Sequence, residues 1–365
     1  MTDAPADLPS IRRPTAYDTW LVEEGLTVIA GLYIEDLKTV ELGDWARRGC
    51  RAAVARLQGT EDVNDAHIIE IPAGGSINPE RHLYEELVYV VSGRGSTSIW
   101  NSAGARSTFE WQEGSLFSVP LNAWSQHFNT SGSQPARFYS VTSAPFIMRL
   151  FHNRDFIYDC DFDFTDRFNP DADFAGNGTA YQNRVWETNF IPDVAAMELK
   201  SWDARGTGSS NIMLELADSS MCGHISQFPV GMYKKAHRHN AGAHVIVISG
   251  VGFSLLWPED EPLEQVQWRA GSVIVPPDRW FHQHFNTGAE PARYLALRWG
   301  SKKYPVFKNF QIDRPTTQGG DQIEYEDEDP MVRRLFEDEL AANGATSRMD
   351  SVHARRPGHT APGAG

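Results

Sequence analysis

The sequence predicts an all-β protein that contains two tandem β-barrels. The first observation behind this prediction is an internal repeat, because Trp111 and Trp268 lie 157 residues apart and many residues around them share the same offset. The second is a pair of apolar, β-branched segments, each interrupted by a Gly-x-Gly turn, VYVVSGRGSTSIW and HVIVISGVGFSLLW. No long amphipathic helical pattern separates the predicted strands, which favours a barrel or a sandwich.

The repeat has no gap over its central part. Positions 74–129 align with positions 231–286 without an insertion. Identical residues at this offset include Gly74 and Gly231, His82 and His239, Gly93 and Gly250, Pro120 and Pro277, and His127 and His284. Similarity of this length indicates a duplicated domain. We therefore predict a first barrel at 62–147 and a second barrel at 209–300.

Three further segments flank the two barrels. Residues 1–61 are expected to form an N-terminal extension that packs on the barrels. Residues 148–208 are rich in aromatic and acidic side chains and are expected to link the barrels as irregular structure. Residues 301–365 form a C-terminal extension.

The C-terminal extension contains one predicted helix at 330–343. Pro330 stands at its start and Gly344 follows its end, which is the usual placement of these two residues at helix termini. The tail after about residue 345 is rich in Gly, Pro and Ser and is expected to be disordered.

Composition limits the classes of partner. The formal net charge of −15 argues against non-specific binding to nucleic acid or to an anionic membrane. The 3 cysteines are far apart and show no Cys-x-x-Cys spacing, which indicates reduced thiols rather than a disulfide framework. The chain has no apolar run of membrane-spanning length and no apolar leader at its start, so we expect a cytoplasmic protein.

Two histidine pairs in the second repeat suggest a metal site. His237 and His239 are two residues apart, and so are His282 and His284. On a β-strand this spacing places both side chains of a pair on the same face. Two adjacent strands with histidines facing one barrel interior can hold a metal ion. The alternative is a set of core histidines that are satisfied by hydrogen bonds.

These segments resemble the paired motifs of the cupin superfamily. The matching residues are Gly231, His237, His239 and Gly250 in the first motif, and Gly271, Pro277, His282 and Asn286 in the second. The resemblance covers 74–138 and 231–295. It implies two cupin barrels, each a double-stranded β-helix or jelly roll, and a metal bound by His237, His239 and His282.

One departure from the cupin pattern changes the expected charge of the site. Cupins usually supply a glutamate four or five residues after the second histidine, and here those positions are Ala243 and His244. Three neutral ligands leave the charge of a divalent ion unneutralised, which favours an anionic substrate. Imidazole ligands suit several transition metals and do not select one of them.

The second repeat also resembles the ring-cleaving bicupins, namely gentisate, salicylate and 1-hydroxy-2-naphthoate dioxygenases. The segments AHRHNAGAHVIVISG and WFHQHFN carry this resemblance. It implies Fe(II), with His284 contacting the substrate or bound dioxygen. Gln283 stands where that group has Asp, and Val245 stands where it has an Arg. The complete histidine set also lies in the second barrel, whereas that group uses the first.

The first barrel has an incomplete version of the same motifs. Glu80 stands at the position of His237, while His82 and Glu86 fit ligand positions. Ser125 replaces the histidine that matches His282. We predict a degenerate barrel kept for packing and oligomer contacts; a second metal site at Glu80, His82 and Glu86 is the alternative.

The sequence therefore predicts an Fe(II)-dependent dioxygenase that cleaves a C–C bond in an anionic, hydroxylated, aromatic small molecule. Mn, Ni, Zn and Cu are the alternative metals. The expected catalytic residue is His284, as a substrate contact or a general acid/base. Weaker candidates for substrate contacts are His244, Trp280 and Arg298. A redox-neutral isomerase, lyase or decarboxylase and a non-enzymatic ligand-binding bicupin are the alternative functions. Expected partners are the anionic substrate, dioxygen and further copies of the chain in a homodimer or homotetramer.

Overall fold

The computed structural model describes residues 11–168, 174–306 and 313–353. The chain folds into two β-barrels, and each barrel combines one large sheet with one three-stranded sheet. The predicted all-β fold of two tandem barrels is confirmed. Among the described helices, none combines the length and the apolar character that crossing a bilayer requires.

The elements follow one another in chain order. The strands up to the end of the first barrel are β1 (Thr27–Ile29), β2 (Tyr33–Ile34), β3 (Gly43–Trp45), β4 (Cys50–Ala55), β5 (Asp65–Ile71), β6 (Glu86–Ser92), β7 (Arg94–Trp100), β8 (Arg106–Gln112), β9 (Leu116–Val119), β10 (Trp124–Asn129) and β11 (Ala136–Thr142). The later strands are β12 (Thr179–Tyr181), β13 (Val185–Glu187), β14 (Phe190–Ile191), β15 (Lys200–Ser201), β16 (Ser210–Glu215), β17 (Met221–Phe228), β18 (His244–Ser249), β19 (Val251–Trp257), β20 (Glu264–Arg269), β21 (Val273–Ile274), β22 (Phe281–Asn286) and β23 (Ala292–Trp299). The α-helices are α1 (Ala16–Glu24), α2 (Ala144–Phe151), α3 (Arg154–Tyr158), α4 (Pro330–Ala342) and α5 (Asp350–His353).

The two barrels have matching sheet orders. In the first barrel the large sheet runs β1-β4-β5-β11-β6-β9-β14 with β3 beside β4, and the small sheet runs β10-β7-β8. In the second barrel the large sheet runs β12-β13-β16-β17-β23-β18-β21-β2 with β15 beside β16, and the small sheet runs β20-β19-β22. The histidine-bearing strand β22 therefore occupies the same place as β10, which carries Ser125 and His127.

Each repeat contributes an early strand to the other barrel. Strand β2 pairs with β21 of the second barrel, where Tyr33 lies opposite Ile274. Strand β14 pairs with β9 of the first barrel, where Phe190 lies opposite Phe117. The N-terminal extension and the linker therefore each contribute strands to the sheets of the barrels. Both segments supply strands because an open sheet edge presents unpaired N–H and C=O groups that a passing extended segment can pair.

The glycine pairs at the strand turns have a steric cause. Gly250 lies between β18 and β19 and has a φ of 93°, a conformation that favours glycine. At Gly252 a Cβ atom would lie 1.9 Å from the carbonyl oxygen of Phe285. Any side chain there would push β19 away from β22 and disturb the strand that carries His282.

The predicted helix at 330–343 is confirmed as α4. The Asp329 side chain accepts a hydrogen bond from the Met331 N–H and caps the helix, which begins at Pro330. Val332, Phe336 and Leu340 are buried on one face of the helix. They belong to the same apolar cluster as Phe253 and Phe285 of the second barrel.

The start of the predicted disordered tail is ordered instead. Met349 is fully buried in the cluster beneath α4, and the Arg348 N–H donates to the Gly231 carbonyl at 2.8 Å. Burial of the Met349 side chain and this hydrogen bond help to hold the segment on the barrel, although its composition indicated disorder. Residues 354–365 of the same expectation lie outside the described residues.

A candidate metal centre in the second barrel

Three histidines converge at one end of the second barrel. His282 lies on β22, and His237 pairs with it through two backbone hydrogen bonds of 2.9 and 3.1 Å. The imidazole centroids of His237 and His282 are 4.1 Å apart, and those of His239 and His282 are 4.6 Å apart. The ligand atoms of all three histidines lie within 4.8 Å of one another, and no other such group of three His, Cys, Asp or Glu occurs in the described part of the chain.

The chemistry of this cluster fits a divalent transition metal. The Nδ1 atom of His239 lies 2.7 Å from the Asn240 carbonyl, and that of His282 lies 3.3 Å from the Trp280 carbonyl. Such contacts fix each ring and leave Nε2 as the ligand atom. The Nδ1 atom of His237 is buried without a hydrogen-bond partner. Burial lowers the pKa of His239 to about 4 and holds the pKa of His237 and His282 well below the usual range, so the imidazoles are neutral at pH 7.

The equivalent place in the first barrel is filled by ion pairs. Glu80 is buried and forms ion pairs with Arg47 and Arg48, the latter at 2.9 Å. Glu86 accepts a hydrogen bond from Ser140 and lies 3.5 Å from the Nε2 atom of His82. Burial alone would raise the pKa of Glu86, but the hydrogen bond and charge of His82 lower it to about 2. The guanidinium groups supply the positive charge that a metal would bring, which supports the prediction of a degenerate barrel.

A cavity of about 320 Å³ opens beside the histidine cluster. His237 and His239 line it, and so does Arg298, which the sequence suggested as a substrate contact. The cationic residues around it are Arg184, Arg205, Lys234, Arg298 and Lys302. Asp313 is the single carboxylate among the described lining residues. The electrostatic potential of this cavity therefore favours an anion even before a metal is added.

Comparison with known proteins identifies the fold. The cupin domain profile matches residues 67–142, which is the first barrel. A solved oxalate decarboxylase of Lactobacillus farciminis, in a formate complex, superposes with a TM-score of 0.53 at 12% identity and covers 84% of this chain and 97% of that chain. A single-residue mutant of Bacillus subtilis oxalate decarboxylase gives a TM-score of 0.50 at 13% identity, with 74% and 78% covered. A search of curated proteins found no match to this sequence.

The chain has a bicupin fold. The family profile covers the barrel in which Glu80 and Ser125 stand at the positions of His237 and His282, while the three histidines lie in the barrel outside it. At 12–13% identity the similarity to the solved structures is one of fold. The function of this bicupin therefore has to be argued from its own site.

Two of the predicted substrate contacts lie away from the cavity of the bicupin. His244 is fully buried with its Nδ1 atom 2.7 Å from the Tyr139 hydroxyl and its Nε2 atom 3.3 Å from Asn64 Oδ1. Both ring nitrogens thus bond to residues of the first repeat, and His244 connects the barrels. Trp280 packs at the edge of an apolar cluster that includes Phe228. Neither side chain is among the described residues that line the cavity, because His244 is held between the barrels and Trp280, which precedes β22, packs on the apolar cluster.

Most residues around the cavity were not indicated by the sequence patterns. Four of them that line it beside the histidines are Arg205, His224, Lys234 and Tyr294. Extending the repeat upstream would have revealed two of them, because Arg205 and His224 stand 157 residues after Arg48 and His67. The structure bears out the first equivalence: the Arg205 and Arg48 carbonyls both accept an N–H at 2.8 Å, from Lys235 and Asn78 respectively.

His284 is held by a network that occurs in both barrels. Its Nδ1 atom lies 2.7 Å from the Ser254 hydroxyl, which accepts a hydrogen bond from the Trp268 indole at 3.0 Å. In the first barrel His127, Thr97 and Trp111 form the same network at 2.7 and 2.9 Å. The His284 ring packs between His282 and Tyr294, with centroids 5.7 and 5.5 Å away. This placement favours a role in orienting neighbouring groups.

Replacing His284 should show whether this residue binds the metal or only orients neighbouring groups. We expect His284→Ala to keep one equivalent of metal, because His284 is outside the group of three ligands. Turnover should fall about 10- to 100-fold, the usual effect of removing an outer partner of a metal site. Elemental analysis and steady-state kinetics measure the two effects, with His127→Ala as the equivalent change in the first barrel. Loss of metal in His284→Ala would make His284 a ligand.

Proposed function

We propose that this bicupin is a metal-dependent enzyme that decarboxylates a small carboxylate anion without net oxidation in its second barrel. The observation that carries the proposal is the group of cationic side chains around a cavity that is also lined by His237 and His239 of the neutral histidine cluster. A cavity of about 320 Å³ lies at the small end of ligand sites, which fits a compact acid. The fold shared with oxalate decarboxylases is consistent with this chemistry.

The proposed site combines three metal ligands with a place for the substrate anion. His237, His239 and His282 would hold a divalent metal; their imidazoles suit Fe, Zn, Cu and Ni, and Mn is a further candidate. When bound, such a metal supplies a Lewis acid that polarises a coordinated carboxylate. The described residues place no carboxylate among the three ligands. A substrate anion therefore supplies the negative charge that the site lacks.

Arg205 is placed to bind the substrate carboxylate. Its side chain is 3% exposed, and Nη1 donates to the Gln322 side chain at 3.1 Å. Its nearest carboxylate, that of Asp313, is 3.8 Å away and more than half exposed. Burial lowers the pKa of Arg205 to about 10, so the guanidinium remains charged at neutral pH. A buried guanidinium whose ion pair with Asp313 is long and exposed can bind a further anion.

Removing the Arg205 charge should weaken substrate binding without releasing metal. We expect Arg205→Met to raise KM about 10- to 150-fold, which corresponds to the loss of one charge-assisted hydrogen bond. Metal content should stay at one equivalent, because a nearby cation opposes metal binding. The surface variant Arg269→Met, whose side chain is about half exposed, is the control. An unchanged KM would remove Arg205 from the substrate site.

The test of the proposed function is a reaction screen on metal-loaded protein. Mono- and dicarboxylic acids, with and without hydroxyl or keto groups, are offered while released CO2 and dissolved oxygen are both recorded. We expect the protein to release CO2 while the concentration of dissolved oxygen stays constant. Tight binding of an acid without any turnover would instead identify a ligand-binding bicupin and overturn the proposal.

A dioxygenase is the second candidate, because the ligand set consists of imidazoles alone. The sequence segments around His237 and His282 resemble those of the ring-cleaving bicupins, and an aromatic acid would meet Trp202, Tyr294 and Trp299 in the cavity. The same screen decides between the two candidates. Oxygen uptake equal to product formed, with a hydroxybenzoate as substrate, would favour the dioxygenase.

A further inference from the structure

A buried polar triad lies in the wall of the second barrel next to the cavity. The Lys234 ammonium donates hydrogen bonds to the Ser226 hydroxyl at 2.5 Å and to the Tyr294 hydroxyl at 3.0 Å. Ser226 and Lys234 are 0% and 1% exposed, and Tyr294 is 9% exposed. Lys234 and Tyr294 both line the cavity that contains His237 and His239. Burying an amine costs desolvation free energy, and an apolar side chain could fill the same space without that cost.

The first barrel has apolar residues at the same three places. In the second barrel Tyr294 pairs with Ser226 and Val247, and in the first barrel Phe138 pairs with Ile69 and Val90. Phe138 is therefore the equivalent of Tyr294, and Ile69 is the equivalent of Ser226. The N–H of Lys234 donates to the His284 carbonyl at 3.0 Å, as the N–H of Ile77 does to the His127 carbonyl at 3.1 Å. The Phe138 and Tyr294 rings even pack against equivalent histidines, 5.3 Å from His127 and 5.5 Å from His284.

The fold therefore does not need the polar triad. Ile69, Ile77 and Phe138 are buried and fill the same space in a barrel of the same design. Only the barrel that holds the histidine cluster replaces these three with Ser226, Lys234 and Tyr294. These buried polar groups lie next to a cavity lined by cations, and the first barrel lacks them. Their presence therefore indicates a role in the reaction rather than in folding.

We propose that Tyr294 is the proton donor of the reaction and that Lys234 holds the tyrosinate formed. This proposal rests on the proposed function. In decarboxylation the C–C bond to the carboxylate breaks, CO2 leaves, and the electron pair stays on carbon. That carbon takes the phenolic proton of Tyr294 and forms a C–H bond. The phenolate remains beside the Lys234 ammonium until solvent returns one proton, so charge and atoms balance for each turnover.

The charges around Tyr294 support the direction of this transfer. Burial alone would raise the pKa of Tyr294, but the charge and hydrogen bond of Lys234, together with Ser226 and Arg205, lower it. The other titratable groups against the ring are His224 and His284, whose pKa values burial holds low, so both are neutral at pH 7. A phenol with a lowered pKa gives up its proton at a smaller cost, which suits a general acid.

The first experiment compares Tyr294→Phe with wild type. The substitution copies Phe138, so the barrel should fold and keep its metal. We expect kcat to fall about 100- to 10,000-fold, the usual contribution of a general acid, with KM and metal content unchanged. Tyr181→Phe, at an exposed tyrosine, is the control. A kcat within about twofold of wild type in Tyr294→Phe would overturn the proposal.

Lys234 is tested through the pH profile. The double variant Lys234→Ile with Tyr294→Phe reproduces two of the three apolar positions of the first barrel and checks that the site folds and retains metal. In Lys234→Ile alone, loss of the neighbouring charge should raise the pKa of Tyr294, so the decline of kcat at high pH should move to higher pH by at least about one unit. A decline at the same pH as wild type would remove Lys234 from this role.

A titration that does not depend on turnover separates failure of the inference from failure of the proposed function. Tyrosinate absorbs near 295 nm, so wild type should show one phenol that ionises below the others, and Tyr294→Phe should lack it. If this phenol is missing, the inference fails even for an active decarboxylase. If it is present but no acid in the screen is decarboxylated, the proposed function fails. The proton-donor role then fails as well, because it depends on that function.

Discussion

Replacing any one of His237, His239 and His282 with alanine should strip the second barrel of its metal. A two-imidazole site lacks one of three ligands, so we expect metal affinity to fall by more than the roughly 100-fold that losing an outer partner can cost. The barrel should stay folded, because none of the three histidines belongs to its apolar clusters. Activity should disappear together with the metal. Elemental analysis after dialysis and circular dichroism measure the two properties.

The stoichiometry provides the internal control for these variants. Wild type should carry one metal per chain, since the described residues contain one group of three ligands. His82→Ala removes the corresponding histidine of the first barrel and should leave that metal in place. Two equivalents in wild type, with one surviving in His237→Ala, would show that the first barrel binds metal. Full retention in His282→Ala would reject the three-histidine site.

Neutralising Glu80 should destabilise the first barrel strongly. Glu80 is 8% exposed and is the ion-pair partner of Arg47 and of the buried Arg48. Glu80→Gln leaves the buried Arg48 without its counter-charge, which typically costs about 3–5 kcal/mol, whereas Arg47 keeps its ion pair with Glu24. Urea denaturation should show this loss in the free energy of unfolding. The metal content should not change. If Glu80 were a metal ligand, Glu80→Gln would lower the metal content.

Two controls test the physical cause of that loss. Glu110→Gln, at an exposed position of β8, should leave the free energy of unfolding unchanged within about 0.5 kcal/mol. The double variant Glu80→Leu with Arg48→Met removes both buried charges, leaves Arg47 paired with Glu24, and should recover most of the stability. A stable Glu80→Gln, or a double variant that is as unstable as Glu80→Gln, would contradict the ion-pair explanation.

The Glu80 effect should also depend on pH. Burial alone would raise the pKa of Glu80, but Arg48 and Arg47 lower it below its ordinary value of 4.5. The carboxylate therefore contributes its full stability above pH 4.5 and loses it as the pH falls through the lowered value in the folded chain. The difference in the free energy of unfolding between wild type and Glu80→Gln should narrow in acid, which the same denaturation series measures.

The candidate site was predictable where the repeat could be compared residue by residue. The spacing gave two histidine pairs, and the resemblance to the cupin motifs selected His237, His239 and His282 from them. Glu80 at the position of His237 gave the contrast between the barrels. Side chains on flanking segments were harder, because spacing along one strand says nothing about which other segment covers it. Arg205 enters the cavity from a turn more than thirty residues before His237. His244 looked like a site residue because it follows the motif, yet its strand turns it toward Tyr139.

The sequence by itself determined the two barrels, their matching turns and the one barrel with a three-histidine set. These features follow from local patterns: period-two apolar segments, glycines at tight turns, and identical residues at one offset. Only the tertiary structure decided that β2 and β14 complete each other's barrels, and that Arg47 and Arg48 neutralise Glu80. It alone placed Lys234 beside Tyr294, where the first barrel has Ile77 and Phe138. These are contacts between segments far apart in the chain, and they depend on which sheet edge or cavity a segment reaches in space.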